Sequence, residues 1–345
     1  MKRNHNVAAV TIARMDTFRA FRIVNEDGKI HGSIVNAMVA ELSAGDVLIR
    51  ASYSSVNYKD ALAATGKGRI LRRPSAIGGI DFAGTVVESS DPRFKKGDAV
   101  LTASGEYVGV SSDGGYARYC RVKGDWIARV PQGLSLWEAM AYGTAGYTAG
   151  IAVHRMEHNG LKPSKGPVIV NGATGGVGSV AIAMLAKLGY HVVALTGKES
   201  ESDWLKKLGA KEILLRQSLN LEKIKPLDKA MWAGAVDNLG GPVLAWMAST
   251  MKDNGVIASI GLAASPQLNT WVMPFILRGA SLLGINSGDS SNDIRDAVWK
   301  RLATDLKPPL LKEMARTIPL RELPGVFDDF INARVSRRVV VDLTE

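Results

Sequence analysis

The run Asn171-Gly-Ala-Thr-Gly-Gly-Val-Gly178 constrains the fold of this chain more than any other segment. Three apolar residues, Val168–Val170, precede it, and an apolar stretch rich in small residues follows over 179–188. So short and fully apolar a run reads as a strand buried on both faces, as in a parallel sheet. The glycines after it leave backbone N–H groups at a helix N-terminus open to close approach by a pyrophosphate. The spacing is not the strict G-x-G-x-x-G, so the motif draws its weight from its place between strand and helix. That place predicts a dinucleotide-binding α/β domain.

The surrounding pattern agrees. Strands are expected at 168–170, 191–195, 212–215, 233–237, 255–260 and 281–285, with helices at 179–188, 202–208 and 242–251. Six strands with intervening helices make a Rossmann-type, doubly wound parallel sheet. Residues 16–130 differ: short strands and glycine turns mark a β-rich domain, interrupted by a helix from Tyr58 to Thr65 that ends at Gly66. Helices are expected at 136–142, 144–156, 292–302 and 322–332. The last strand, 338–342, has no place in a finished Rossmann sheet and is expected to return to the first domain. The expected division is a flexible extension over 1–15, a β-rich catalytic domain over 16–143 and 288–345, and a nucleotide-binding domain over 144–287.

Composition narrows the class. No apolar run approaches the ~20 residues that span a bilayer, so a soluble protein is expected. The formal charge of +10 is spread along the chain without an arm or finger to concentrate it, which argues against nucleic acid and for anionic ligands. One cysteine, Cys120, makes neither an internal disulfide nor a Cys-rich zinc site, and fits a reducing cytoplasm. In its strand-like setting it reads as a small packed residue, not a nucleophile. The apolar stretch over 7–13 is at the short limit for a signal-peptide core.

Cofactor choice is read after the second strand, where an NAD enzyme carries an acidic residue for the ribose hydroxyls. This chain has Thr196-Gly197-Lys198 there, and Arg216 ends the third strand. Thr196, Lys198 and Arg216 suit a 2′-phosphate, so NADPH is expected, with Thr174, Gly175, Gly176 and Val177 of the turn against the pyrophosphate. Glu199 is an acidic residue close by that would suit NAD, though Glu199-Ser200 reads equally as the entry to the next helix.

The order of motifs carries a resemblance. Ser55-Val-Asn57-Tyr-Lys-Asp60, Gly79-Ile-Asp81-Phe-Ala-Gly84, Gly97-Asp98-Ala-Val, Gly115-Tyr-Ala and the glycine turn occur in sequence. So do Asp91-Pro-Arg-Phe, Trp232-Ala-Gly-Ala and Val272-Met-Pro-Phe-Ile-Leu-Arg278. From about residue 17 to the end, the chain resembles the medium-chain dehydrogenase/reductase superfamily. More closely, it resembles the quinone oxidoreductase-like subfamily that includes bacterial NADPH-dependent acryloyl-CoA reductases.

The resemblance implies a GroES-like fold for the β-rich domain and a homodimer paired through the strand near 281–285. Zinc-dependent members place cysteine where this chain has Asn57, and a His-Glu pair where it has Ile80-Asp81. No metal is therefore expected. The implied reaction delivers hydride to the C=C bond of a small α,β-unsaturated acyl-CoA. NADPH:quinone reduction is the alternative within the class, and a catalytically silent NADPH-binding sensor the alternative outside it. Asn57, Tyr58 and Asp60 are the candidate catalytic residues. Tyr58 contacts the cofactor or supplies a proton through water, and Asn57 donates to the oxyanion. The alternative is that Asn57 and Asp60 merely cap and begin the following helix. Further cofactor contacts implied by the subfamily are Leu262, Ile276, Ser287 and Asn332; Leu262 and Ile276 read equally as core. Arg337 stands where the subfamily usually has glycine. Arg69, Arg72 and Arg73 suit coenzyme A phosphates, or form a solvated basic loop.

Overall fold

A computed structural model describes residues 17–103 and 107–345, so the expected extension over 1–15 lies outside the described residues. The chain divides into two units, one of residues up to 144 with 315–345, the other of 145–314.

In the first unit, β1 (Thr17–Glu26) pairs antiparallel with β2 (Lys29–Met38). β3 (Val47–Val56) starts a second sheet, while β4 (Ser75–Ile77) joins β1. The second sheet adds β5 (Asp81–Ser89), β6 (Ala99–Ala103), β7 (Tyr119–Val122) and β8 (Ala128–Arg129). Its core is apolar, with Val47, Ile49, Ala51, Phe82 and Val100 all buried. From the end of β3 the chain enters α1 (Tyr58–Thr65), which stops at Gly66 in the left-handed region, φ 70°.

The helical segment α2 (Leu136–His158) is broken at Gly143, φ 51° and ψ −158°. A Cβ at Gly143 would lie 2.3 Å from Ser55 Oγ, 2.5 Å from Asp81 Oδ2 and 2.7 Å from the Arg338 guanidinium. Only glycine serves there, for its dihedrals and for its lack of a side chain.

The second unit is the doubly wound sheet. Its strands are β9 (Val168–Val170), β10 (Val192–Thr196), β11 (Glu212–Leu215), β12 (Trp232–Asp237), β13 (Met251–Ser259) and β14 (Ser281–Gly284). They run parallel in the order β11-β10-β9-β12-β13-β14. α3 (Gly176–Lys187) follows β9 and buries residues 178–185. The other helices are α4 (Ser202–Lys207), α5 (Gly241–Ser249), α6 (Met273–Leu277) and α7 (Asn292–Leu302). The order reverses at β9, with β10 on one side and β12 on the other. Such a switch point opens a crevice at the carboxyl ends of the strands.

Two expectations need correction. The chain leaves the second unit at 315, not 288. The reason is α7, which packs within that unit: Trp299 stacks on Tyr147 with centroids 5.6 Å apart, and Arg301 pairs with Glu157 at 2.8 Å. The expected helix over 322–332 is instead a 3₁₀ segment, Leu320–Val326, followed by the short α8 (Phe327–Ile331). Pro324 lacks the N–H that a continuous α-helix needs.

Back in the first unit, β15 (Ala315–Pro319) runs parallel to β16 (Arg338–Asp342), and β16 pairs antiparallel with β3, Val340 facing Ser55. Among the described residues no helix is long and apolar enough to cross a membrane. Gly143→Ala is expected to destabilise the protein by at least about 2 kcal/mol, through backbone strain and steric overlap. A lowered urea midpoint or melting temperature checks this.

Candidate functional site

Two constellations emerge, one in each unit. In the first, Asp81 is fully buried at the start of β5. Its Oδ2 accepts from Ser55 Oγ at 2.5 Å, Asn57 Nδ2 at 2.7 Å and the Thr144 N–H at 2.8 Å; its Oδ1 accepts from Thr144 Oγ1 at 2.5 Å. Arg338 enters from β16, donating to Ser55 Oγ at 3.0 Å, the Val56 carbonyl at 3.0 Å and the Ala141 carbonyl at 3.3 Å. Burial pulls its guanidinium below the ordinary value, and the charges of Asp81 and Asp60 oppose that.

Asp60, in the first turn of α1, is also buried. It accepts from the Asn57 N–H at 2.9 Å, from Asn57 Nδ2 at 3.3 Å and from the Ile80 N–H at 2.9 Å. Burial, then the charge of Asp81, pushes its pKa up to about 7, against the lowering effect of those donors. Tyr116 donates to the Ser55 carbonyl at 3.2 Å, and burial holds its phenol neutral. Burial likewise pushes the Cys120 thiol well above its usual range, so it is no nucleophile at neutral pH.

The expected oxyanion donor meets a difficulty. Both N–H bonds of the Asn57 amide are directed at carboxylates, so Nδ2 has none left for a substrate oxygen. Asn57 acts instead as the cap of α1 and a link between Asp60 and Asp81. Tyr58, next to it, is 52% exposed. α8 packs against α1, and Asn332 ends α8, exposed, with Nδ2 donating to the Asp328 carbonyl at 2.7 Å.

The second constellation is the glycine turn. Gly175 precedes α3 and no side chain caps that helix, so its first amides face outward for a ligand. A Cβ at Gly178 would sit 2.4 Å from the Gly172 carbonyl oxygen, and one at Gly175 3.2 Å from it. The turn therefore closes on its own backbone and leaves its rim to Thr174, Gly175, Gly176 and Val177. It fits a pyrophosphate.

At the adjacent strand ends, Thr196 Oγ1 accepts from the Lys198 N–H at 3.0 Å. The Arg216 guanidinium lies over Gly197, where a Cβ would meet Nη2 at 3.4 Å. Thr196, Gly197, Lys198 and Arg216 are thus brought together beside the turn, on the ends of β10 and β11, with no acidic residue closing β10. Glu199 is exposed and opens the short 3₁₀ turn Glu199–Glu201.

Leu262 follows β13 and Ile276 lies on α6; at 65% and 71% exposure neither is a core residue. Ser287, half-buried after β14, accepts from Thr148 Oγ1 at 2.8 Å. Sequence reasoning missed Ser55 and Thr144 as partners of Asp81, Arg338 as the partner of Ser55, and Asn171, Asp237 and Asn238 beside the turn. Asn171 at the head of the motif and an Asp-Asn pair closing the fourth strand were the available signals.

A Rossmann sheet with such a turn, and a β-rich unit built from both sides of it in the chain, define a medium-chain dehydrogenase/reductase. Residues 43–132 match the alcohol dehydrogenase GroES-like domain, and residues 176–304 match the zinc-binding dehydrogenase family. The chain is 48% identical to the putative quinone oxidoreductase YhfP of Bacillus subtilis, over 92% of this chain and 96% of that protein. The solved structure of that relative with NAD bound has a TM-score of 0.92 at 45% identity, covering 95% of this chain and 100% of the other. Identity to the probable acrylyl-CoA reductase AcuI of Escherichia coli is 44%, over 94% and 99%. The yhdH oxidoreductase of Salmonella enterica in complex with NADP has a TM-score of 0.91 at 45% identity, over 94% and 99%. The chain belongs to the quinone oxidoreductase-like group of this superfamily, and it is an oxidoreductase.

Where zinc-dependent members are expected to hold their metal, this chain has Asn57, Ile80 and Asp81, with the amide and carboxylate engaged as described. Among the described residues no group of three or more His, Cys, Asp or Glu is placed to hold a metal ion.

Asp60 carries a sign-definite prediction. Its folded pKa of about 7 exceeds its ordinary 3.8, so folding takes up a proton between those values. Its contribution to stability is complete below about pH 4 and is lost as pH rises through 7, by up to about 1.4 kcal/mol per pH unit. Denaturant unfolding of wild type and Asp60→Asn across pH 4 to 8 should show the variant gaining relative stability as pH rises.

Proposed function

We propose that this chain is a zinc-independent, NADPH-dependent reductase that delivers hydride to the C=C bond of a small α,β-unsaturated acyl-CoA of the acryloyl-CoA type. The observation that carries the cofactor is the Arg216 guanidinium over Gly197, beside Thr196 and Lys198. The near-full-length similarity to a protein named as a probable acrylyl-CoA reductase supports the substrate.

Thr174, Gly175, Gly176 and Val177 hold the pyrophosphate through backbone amides; Thr196, Gly197, Lys198 and Arg216 hold the 2′-phosphate. Leu262 and Ile276 cover apolar parts of the dinucleotide, and Tyr58, Ser287 and Asn332 add polar contacts. The dinucleotide, when bound, supplies the hydride. Hydride arrival at the β-carbon drives charge onto the thioester oxygen, and a proton must then reach the α-carbon. With the Asn57 amide committed to Asp60 and Asp81, the Tyr58 hydroxyl is the donor we assign to that oxygen or to a water that carries the proton. Asn57 and Asp60 are positioning residues: they fix the first turn of α1 and so the place of Tyr58.

Quinone reduction is the second reading, favoured by the 48% identity to a protein named as a putative quinone oxidoreductase. We place the enzyme in the cytoplasm, in keeping with its single, buried cysteine. We also infer a homodimer paired through the edge strand β14, where Leu282 is exposed, as are Trp271, Val272 and Leu277 in the preceding segment. Sedimentation should return twice the chain mass, and a monomer at micromolar concentration sinks that reading.

Steady-state NADPH oxidation with acryloyl-CoA beside 1,4-benzoquinone should give the higher kcat/KM with acryloyl-CoA. A higher value with benzoquinone selects the second reading, and binding of NADPH without turnover of either selects a sensor. Lys198→Ala with Arg216→Ala should raise the Kd for NADPH at least about 100-fold, since each charged contact contributes roughly 1.5–3 kcal/mol, and leave that for NADH nearly unchanged. An unchanged Kd for NADPH refutes the cofactor assignment.

A further inference from the structure

Asn238, directly after β12, is an unassigned residue whose chemistry is incomplete. Its backbone N–H donates to Asn171 Oδ1 at 2.6 Å, and its Nδ2 donates to the Asn171 carbonyl at 2.7 Å. The second bond fixes the amide, because a flip would set Oδ1 against a carbonyl oxygen. Oδ1 is then left buried and, among the described residues, without a hydrogen-bond partner. A buried oxygen in that condition costs about 1–3 kcal/mol, and folded proteins rarely leave one so without a water, an ion or a ligand to meet it.

The support beneath this residue is hydrogen-bonded at its carboxylate Oδ1. Asp237 is fully buried; its Oδ1 accepts from Asn171 Nδ2 at 2.5 Å, the Leu239 N–H at 3.3 Å and the Gly240 N–H at 3.0 Å. Asn238 also lies against the glycine turn, since a Cβ on Gly172 would come within 3.1 Å of its own Cβ. The strand order then sets a direction. β9 carries the turn; β10, on one side, ends at the 2′-phosphate residues; β12, on the other, ends at Asn238. A dinucleotide with its phosphates so placed extends its nicotinamide half toward β12. The first hydroxyl donors beyond the pyrophosphate in that half are those of its ribose.

We infer that Asn238 Oδ1 accepts a hydrogen bond from a hydroxyl of the nicotinamide-side ribose, which makes Asn238 a cofactor-binding residue. This rests on the cofactor reading proposed above. Three ligands separate the possibilities: NADPH, 2′-phospho-ADP-ribose (which keeps that ribose and lacks nicotinamide) and adenosine 2′,5′-bisphosphate (which lacks both).

Binding to wild type and Asn238→Ala is measured by calorimetry, with thermal melting to establish that the variant is folded. The variant should bind NADPH and 2′-phospho-ADP-ribose about tenfold more weakly, as one neutral hydrogen bond contributes. Adenosine 2′,5′-bisphosphate should bind within about twofold of wild type. Should Asn238→Ala not fold, Asn238→Leu fills a similar volume and carries the same expectation. Unchanged affinity for NADPH assigns the oxygen to a structural water and overturns the inference. An equal loss for all three ligands makes Asn238 a mere support of the turn, and a loss confined to NADPH moves the contact to the nicotinamide; either also overturns it. Wild-type protein that binds none of the three removes the cofactor reading itself.

Discussion

The first unit depends on one buried carboxylate. Asp81 lies at zero exposure, where an unpaired charge would be prohibitively costly, and four donors from β3, Asn57 and Thr144 meet it. Satisfying Asp81 settles the end of β3, the cap of α1 and the break at Gly143 together. It also seats Arg338, which reaches the carboxylate through Ser55 and brings the last strand of the chain into the same knot. Such a network is worth having only when every member is satisfied.

The same logic recurs in the second unit with different residues. Asp237 closes β12, and Asn171 closes β9; the amide of one meets the carboxylate of the other, and the backbone around Gly240 completes the set. The glycine turn is thereby braced from behind. Its glycines let the backbone come close to a ligand, while the Asn171–Asp237 hydrogen bond ties together the strand ends beside it. In both units a buried acid organises a strand end through donors from residues far apart in the chain.

Much of this was legible without coordinates, for reasons that differ by element. The glycine turn, the apolar β9 and the helix from Tyr58 to Gly66 announce themselves because their signals are local: steric freedom, burial on both faces, and a cap at each end. The gathering of Thr196, Lys198 and Arg216 was legible because parallel strands deliver consecutive strand ends to one edge. The role of Asn57 was not. Its sequence context suits a donor to substrate and a helix cap alike, and only the positions of Asp60 and Asp81 show where its two N–H bonds are directed. β15 was missed because only Ile318 of its residues is buried, too little for a period to register.

The sequence by itself determined the class of fold, the dinucleotide turn and the residue types offered to the cofactor, since each follows from local backbone freedom and apolar periodicity. Tertiary structure decided which polar groups are already consumed. It also decided that α7 stays with the Rossmann sheet and that Leu262 and Ile276 lie on the surface. Hydrogen-bond satisfaction and burial depend on partners far apart in the chain, such as Ser55 with Arg338 or Asn171 with Asn238. No periodicity along the sequence encodes such pairs, because each exists only once the strands that carry its members are side by side.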